Sequence, residues 1–136
     1  MNRQIKFRAL ELDTGNWVYG GFVSIDGYAM IGGKPNLNDP VTRYYIFQYG
    51  KRREVCEDTV GQFTGLLDKN GVEIYESDVV LDHVGVGVVE YNSRRSAFRV
   101  NYRDGTAKWF IDYTLKGERF SIKIIGNMHQ NPELLK

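Results

Sequence analysis

Thr59-Val60-Gly61-Gln62-Phe63-Thr64-Gly65-Leu66-Leu67-Asp68-Lys69-Asn70-Gly71-Val72-Glu73-Ile74-Tyr75 decides the fold, because it reads as two strands joined by a turn of defined chemistry. Residues 60–66 and 72–75 are rich in β-branched, aromatic and other apolar side chains interrupted by small polar ones, the pattern of half-buried strands. Between them, Asp68-Lys69-Asn70-Gly71 predicts a type I turn. The aspartate accepts a backbone hydrogen bond, and the glycine takes the left-handed conformation of a G1 bulge without a Cβ clash. A branched residue at 71 is expected to cost about 1 kcal/mol or more.

Working outward toward the N-terminus, Ile5-Lys6-Phe7-Arg8-Ala9-Leu10 alternates with period two, Asp13-Thr14-Gly15-Asn16 is a turn, and 17–25 resumes as a strand. Gly20-Gly21 inside that strand marks a bulge or sharp bend. Asp26-Gly27 predicts a tight hairpin into 28–31, and 32–40, with its glycines, asparagines and two prolines, predicts a loop before the aromatic strand 43–47. A polar stretch over 50–57 sets a boundary near residue 57. The expected organisation is an N-terminal β-meander over 1–57 and a C-terminal domain over 58–136.

On the C-terminal side, further strands are expected at 78–82, 86–91, 97–102, 108–113 and 121–127. Short strands with tight links such as Asn92-Ser93 and Asp104-Gly105 are the pattern of a small wrapped sheet, which removes exposed edges. The expectation is an all-β protein: a meander packed with an SH3-like barrel. Asn131-Pro132-Glu133-Leu134-Leu135 adds a terminal helical turn, with a capping asparagine, proline at the first helical position and an acid in the first turn.

Composition agrees. The 136 residues include nine tyrosines, seven phenylalanines and fifteen glycines, a bias toward strands and turns. A formal net charge of +1 gives no whole-molecule field toward nucleic acid or an anionic membrane, so charged recognition has to be local. Cys56 is the single cysteine, which excludes an internal disulfide and fits a reducing compartment. No apolar run approaches the roughly 20 residues of a membrane span, and the first residues lack a secretory leader's apolar segment, so a cytoplasmic protein with no membrane partner is expected. Repeats and low-complexity tracts are absent from the sequence.

Lys6-Phe7-Arg8-Ala9, the 59–66 block, Asp68-Lys69-Asn70-Gly71, Ile74-Tyr75-Glu76 and Ile125-Gly126-Asn127 with 131–135 together resemble the YopX family of phage and prophage proteins. The resemblance spans nearly the whole chain. It implies a bacteriophage-encoded protein in a bacterial host cell, with an SH3-type barrel in its C-terminal part and no activity established for the family. Two positions depart from the family pattern: Leu10, where a tryptophan usually stands, bears on the packing of the first strand, and Ser77 replaces a usual glycine. The serine implies a turn into Asp78 that needs no positive φ.

No catalytic signature accompanies these blocks, and no cofactor is expected. Cys56, His83 and His129 lack a third orienting group or any flanking motif, and no paired Cys or His spacing supports a metal. Asp58, Glu76, Asp78 and Asp82 are the acids from which a magnesium-dependent nuclease would have to be built, but such spacing is common at strand ends. Gly85 and Gly87 are followed by a strand, whereas a phosphate-binding loop leads into a helix.

Charge is nevertheless unevenly spread. Residues 68–90 hold six acids against Lys69, whereas 91–108 hold Arg94, Arg95, Arg99, Arg103 and Lys108 against Asp104. The five cations, interleaved with Phe98, Tyr102 and Trp109, form a candidate nucleic-acid face. The simpler reading is pairing with neighbouring acidic strands, with the aromatics turned into the core. The sequence therefore favours a non-enzymatic accessory protein that binds an unidentified host or phage protein, with nucleic acid as the alternative partner and self-association into a homo-oligomer expected.

Overall fold

The computed structural model describes residues 4–115 and 121–136; residues 1–3, part of the leading segment considered above, lie outside the described residues. It is all-β, with few helical turns, and divides into two compact units, Ile5–Gly61 and Gln62–Lys136, the latter with Gln4.

The first unit is an antiparallel meander of β1 (Phe7–Leu10), β2 (Trp17–Ile31), β3 (Lys34–Gln48) and β4 (Lys51–Glu54), in the order β4-β3-β2-β1. Its core is Ala9, Val18, Ile46 and Val55, with Phe7, Phe22, Tyr44 and Val60 packed against them. A 3-10 turn over Glu57–Thr59 anchors the end of this unit: the Thr59 hydroxyl accepts the Leu10 N–H at 2.9 Å and donates to the Cys56 carbonyl at 2.7 Å. Leu10 thus sits in a fully bonded strand, and neighbouring Ala9 is completely buried.

Two expectations for this unit are corrected. Asp26-Gly27 is not a hairpin turn, and 32–40 is not a loop: β2 and β3 run on as one long ribbon, pairing from Gly21↔Phe47 through Ile31↔Lys34. The turn falls at Gly32-Gly33 (φ 56° and 79°), where two glycines supply both left-handed residues that a two-residue hairpin requires. Asp26 instead pairs across the ladder, its Oδ1 accepting the Thr42 hydroxyl at 2.8 Å. Pro35 and Pro40 are accommodated because β3 is an edge strand along this distal stretch, beyond its pairing with β4 at 45–48.

The bend expected at Gly20-Gly21 is where β2 changes partners, from β1 (Phe7↔Gly20) to β3 (Gly21↔Phe47). A Cβ at Gly20 would lie 1.9 Å from the Phe47 carbonyl oxygen, so only glycine permits the crossing.

The second unit opens with β5 (Gly61–Leu67) and β6 (Glu73–Tyr75), joined by the expected turn. The Gly71 N–H donates to the Asp68 carbonyl at 3.0 Å, Gly71 has φ 80°, and Asp68 Oδ1 accepts the N–H groups of Asn70 and Val72 at 2.8 and 2.9 Å. A five-stranded antiparallel sheet follows in the order β10-β9-β8-β7-β11: β7 (Asp78–Leu81), β8 (Val86–Asn92), β9 (Ala97–Tyr102), β10 (Ala107–Trp109) and β11 (Lys123–Asn127). Ile74, Val80, Val89, Val100, Tyr102, Phe110 and Ile122 form its core. The order is open: β10 and β11 are its two edges, with no ladder closing it among the described residues.

Three further expectations change. The strand expected over 108–113 stops at Trp109 and gives way to a short helix, α1 (Phe110–Leu115). This break seats Phe110 in the core while Ile111 is exposed. The C-terminal turn exists, as a 3-10 turn over Pro132–Leu135, but Asn131 does not cap it: its Oδ1 accepts the Asn127 N–H at 3.2 Å. Ser77 does adopt positive φ, 74°. Tertiary hydrogen bonds hold it there, its N–H donating to Val89 O at 2.8 Å and its carbonyl accepting from Met128 N at 2.9 Å.

Candidate interaction surfaces

Three of the four carboxylates considered for a metal accept backbone N–H groups. Asp78, almost completely buried, accepts the Tyr75 N–H at 2.8 Å; Glu76 accepts the Gln62 N–H at 2.9 Å; Asp82 Oδ1 accepts the Val84 N–H at 2.8 Å while Oδ2 accepts the Tyr102 hydroxyl. Asp58 is exposed on the 3-10 turn of the first unit. Burial pushes the Glu76 carboxyl up, against the opposing effect of the Gln62 N–H. No group of three or more His, Cys, Asp or Glu side chains suited to a metal occurs among the described residues.

Cys56 precedes the 3-10 turn in the first unit, while His83 is exposed in the β7–β8 turn and His129 half-buried in the turn after β11. Gly87 is a packing position: a Cβ there would lie 2.5 Å from Val100 Cγ1, and β8 continues through it. A shallow cavity of about 350 Å³ at that end of the sheet is lined by Val84, Gly85, Val86, Tyr102, Arg103 and Asp104.

The candidate basic residues occupy different parts of β8–β10. Arg94 and Arg95 are exposed in the β8–β9 turn, where Asn92 Oδ1 accepts the Arg95 N–H at 3.0 Å. Arg99 faces Glu90 directly across the ladder, with Nε 2.5 Å from Oε1, and its guanidinium lies 5.3 Å from the Trp109 ring centre. Arg103, about 25 Å along the strand direction from Arg95, donates to the Lys136 carbonyl. Lys108 pairs with Val100 and so shares the core-side orientation of that position. Phe98 and Tyr102 belong to the core. Arg99 is thus neutralised across the ladder by Glu90, and Phe98 and Tyr102 turn into the core, whereas Trp109 pairs with Arg99 on the opposite face of the sheet.

The first unit carries what the sequence reading missed. Beyond residue 23, where β3 has left β4, β2 and β3 form a two-stranded ribbon that exposes Ile25, Tyr28, Met30, Ile31 and Leu37, the last at 72%. Mistaking Asp26-Gly27 for the turn hid this ribbon. Nearer the core, strand alternation sends Arg8, Tyr19, Val23, Ile25, Arg43, Tyr45, Phe47 and Arg52 to the face opposite Ala9, Val18 and Ile46.

The family model described as YopX protein matches residues 6–136. Among solved structures, the chain is similar to the crystal structure of protein EF1440 from Enterococcus faecalis, with 21% sequence identity, 99% of this chain and 100% of that one covered, and a TM-score of 0.47. No curated protein matches.

Proposed function

This chain belongs to the YopX family, and from that premise we propose that it is a non-enzymatic accessory protein of a phage or prophage that binds another protein through the β2–β3 ribbon. The observation that carries this reading is the ribbon's exposed apolar content: Met30, Ile31 and Leu37 are 55%, 67% and 72% exposed near a two-glycine tip. An isolated two-stranded ribbon is marginal in water, and contiguous exposed apolar side chains mark interaction surfaces. The two edges also differ. Along its distal stretch β3 presents Pro35 and Pro40, which lack N–H donors, whereas β2 from 21 to 31 contains no proline and only one charge, Asp26. That edge suits addition of a partner strand.

In this reading the second unit is the scaffold, a half-wrapped SH3-like barrel in which β5 and β6 cover the core side of the open sheet. The protein acts in the cytoplasm of the host, where its single thiol stays reduced. No helix among the described residues is long and apolar enough to cross a membrane. A second copy is one partner that the β2 edge admits, and light scattering of the purified protein reads this directly as a doubled mass.

Affinity capture from host lysate tests the proposal, using the wild type beside the Met30→Ser/Ile31→Ser/Leu37→Ser variant. The three positions are exposed, so the variant keeps its fold. A protein retained by the wild type and lost by the variant is expected; identical retention by both would remove the ribbon from consideration.

A further inference from the structure

The two long edges of the ribbon are built differently, and only one of them can accept another strand. β1 leaves β2 at the Phe7↔Gly20 pair, and among the described residues no other strand takes up the outer edge of β2 from Gly21 to Ile31. That edge carries one charge, Asp26, and no proline. The β3 edge is blocked in two ways. Pro35 and Pro40 remove N–H donors from it, and the register jumps from Tyr28↔Pro40 to Met30↔Pro35, so that residues 36–39 of β3 stand against Ala29 alone. A bulge of that kind bends its own strand and interrupts the row a straight neighbour would need.

A single open edge limits what can assemble on it. Head-to-tail addition of copies needs a second edge, which β3 does not offer, whereas antiparallel pairing of β2 with itself across a twofold axis uses the open edge of both copies and closes. The side chains select the register. An axis at Asp26 would set two carboxylates directly opposite each other, which is destabilising. Moved by one residue, to Gly27, the axis sets Asp26 against Tyr28 of the second copy, Val23 against Ile31 and Ile25 against Ala29, so that the apolar positions 23, 25, 29 and 31 share one face. The segment 23–31 is thus complementary to itself.

We propose that the outer edge of β2 pairs antiparallel with the same edge of a second copy, joining two ribbons into a four-stranded sheet, β3-β2-β2-β3, with its twofold axis at Gly27. The inference rests on the reading of the ribbon as the binding element and names the occupant of its open edge. Two strands alone are marginal in water, and four with an apolar face are not. A ladder over 23–31, about 30 Å long, is a small contact by the standard of permanent dimers, so the pairing dissociates on dilution. Leu37, on the far strand, stays exposed in the pair and remains open to a different protein.

Disulfide trapping on the full chain, in a Cys56→Ser background that removes the native thiol, reads both the pairing and its register. Residues opposite each other across antiparallel strands have Cα atoms about 4.5–5.5 Å apart, within disulfide range. A Cβ at Gly27 meets nothing within 4 Å in its own chain, so Gly27→Cys keeps the ribbon and should cross-link into a two-chain species under mild oxidation. Leu37→Cys, exposed on the other strand, should not. Light scattering of the wild type should read two chains at high concentration and fall toward one on dilution. Gly27→Lys, which sets like charges at the axis, should read one chain under the same conditions, and Gly27→Ala should behave as wild type. A one-chain mass for the wild type at every concentration, growth beyond two chains, or cross-linking of Leu37→Cys as complete as that of Gly27→Cys would each overturn the proposal. None of these outcomes touches the lysate comparison of wild type with Met30→Ser/Ile31→Ser/Leu37→Ser, so the ribbon reading and the self-pairing fail separately.

Discussion

Asp68 shows how one side chain joins a local turn to a distant strand. Its Oδ1 serves the turn, and its Oδ2 accepts the Ile124 N–H at 3.1 Å, 56 residues away in sequence. Burial works to raise its pKa, but the N–H groups of Val72, Ile124 and Asn70, aided by the Lys69 charge, outweigh burial and hold the carboxyl below its usual range. A depressed folded pKa means that the ionised group stabilises the fold above the unfolded pKa, and that this contribution is lost as pH falls through the folded value. Asp68→Asn should therefore cost about 1–3 kcal/mol at neutral pH, with the gap to wild type narrowing in acid; denaturant melts at several pH values measure it. Ser77 makes the converse case. At φ 74°, with no side-chain hydrogen bond needed to explain its position, it should yield about 0.5–1 kcal/mol of stability on Ser77→Gly, read as a higher denaturant midpoint at constant slope. The turn role of Asp68 was legible because Asp-x-x-Gly encodes a local geometry. The reach to Ile124 and the strain at Ser77 were not, since both come from tertiary hydrogen bonds that no local pattern records.

At the level of elements, alternation located the meander and most strands of the second unit, and it failed where two turn signals competed. Asp26-Gly27 is a good hairpin pair in isolation, but Gly32-Gly33 closes a register in which Phe22, Val23 and Ile25 face Ile46, Tyr45 and Arg43. The longer ladder wins because it satisfies more backbone donors and acceptors than a hairpin closing at 26–27 would. The error at 108–113 has a similar origin, since Phe110 and Ile111 fit a strand by composition while the core takes only the first. Gly20 is the element-scale weak point. Gly20→Ala would force its methyl into the Phe47 carbonyl, so amides of 21–28 should exchange with solvent markedly faster, while those of β7–β9 keep their protection.

For the whole molecule, the arginines of β8–β10 were visible as a run of like charge, but their dispersal was not, because one-dimensional clustering says nothing of opposing strand ends or of Glu90 facing Arg99. The exposed apolar surface lies instead on the meander, along the β2–β3 ribbon. Its residues were plain in the sequence, yet the ribbon needed the correct turn at Gly32-Gly33 before it could be recognised. The central claim is that recognition of a protein partner belongs to the ribbon, with the second unit as scaffold. Hydrogen exchange on the full chain, with and without the protein captured from lysate, tests it most directly. The account predicts new protection confined to amides 24–42 and unchanged exchange in β5–β11. Protection appearing on β5–β11 with the ribbon unaltered would contradict it.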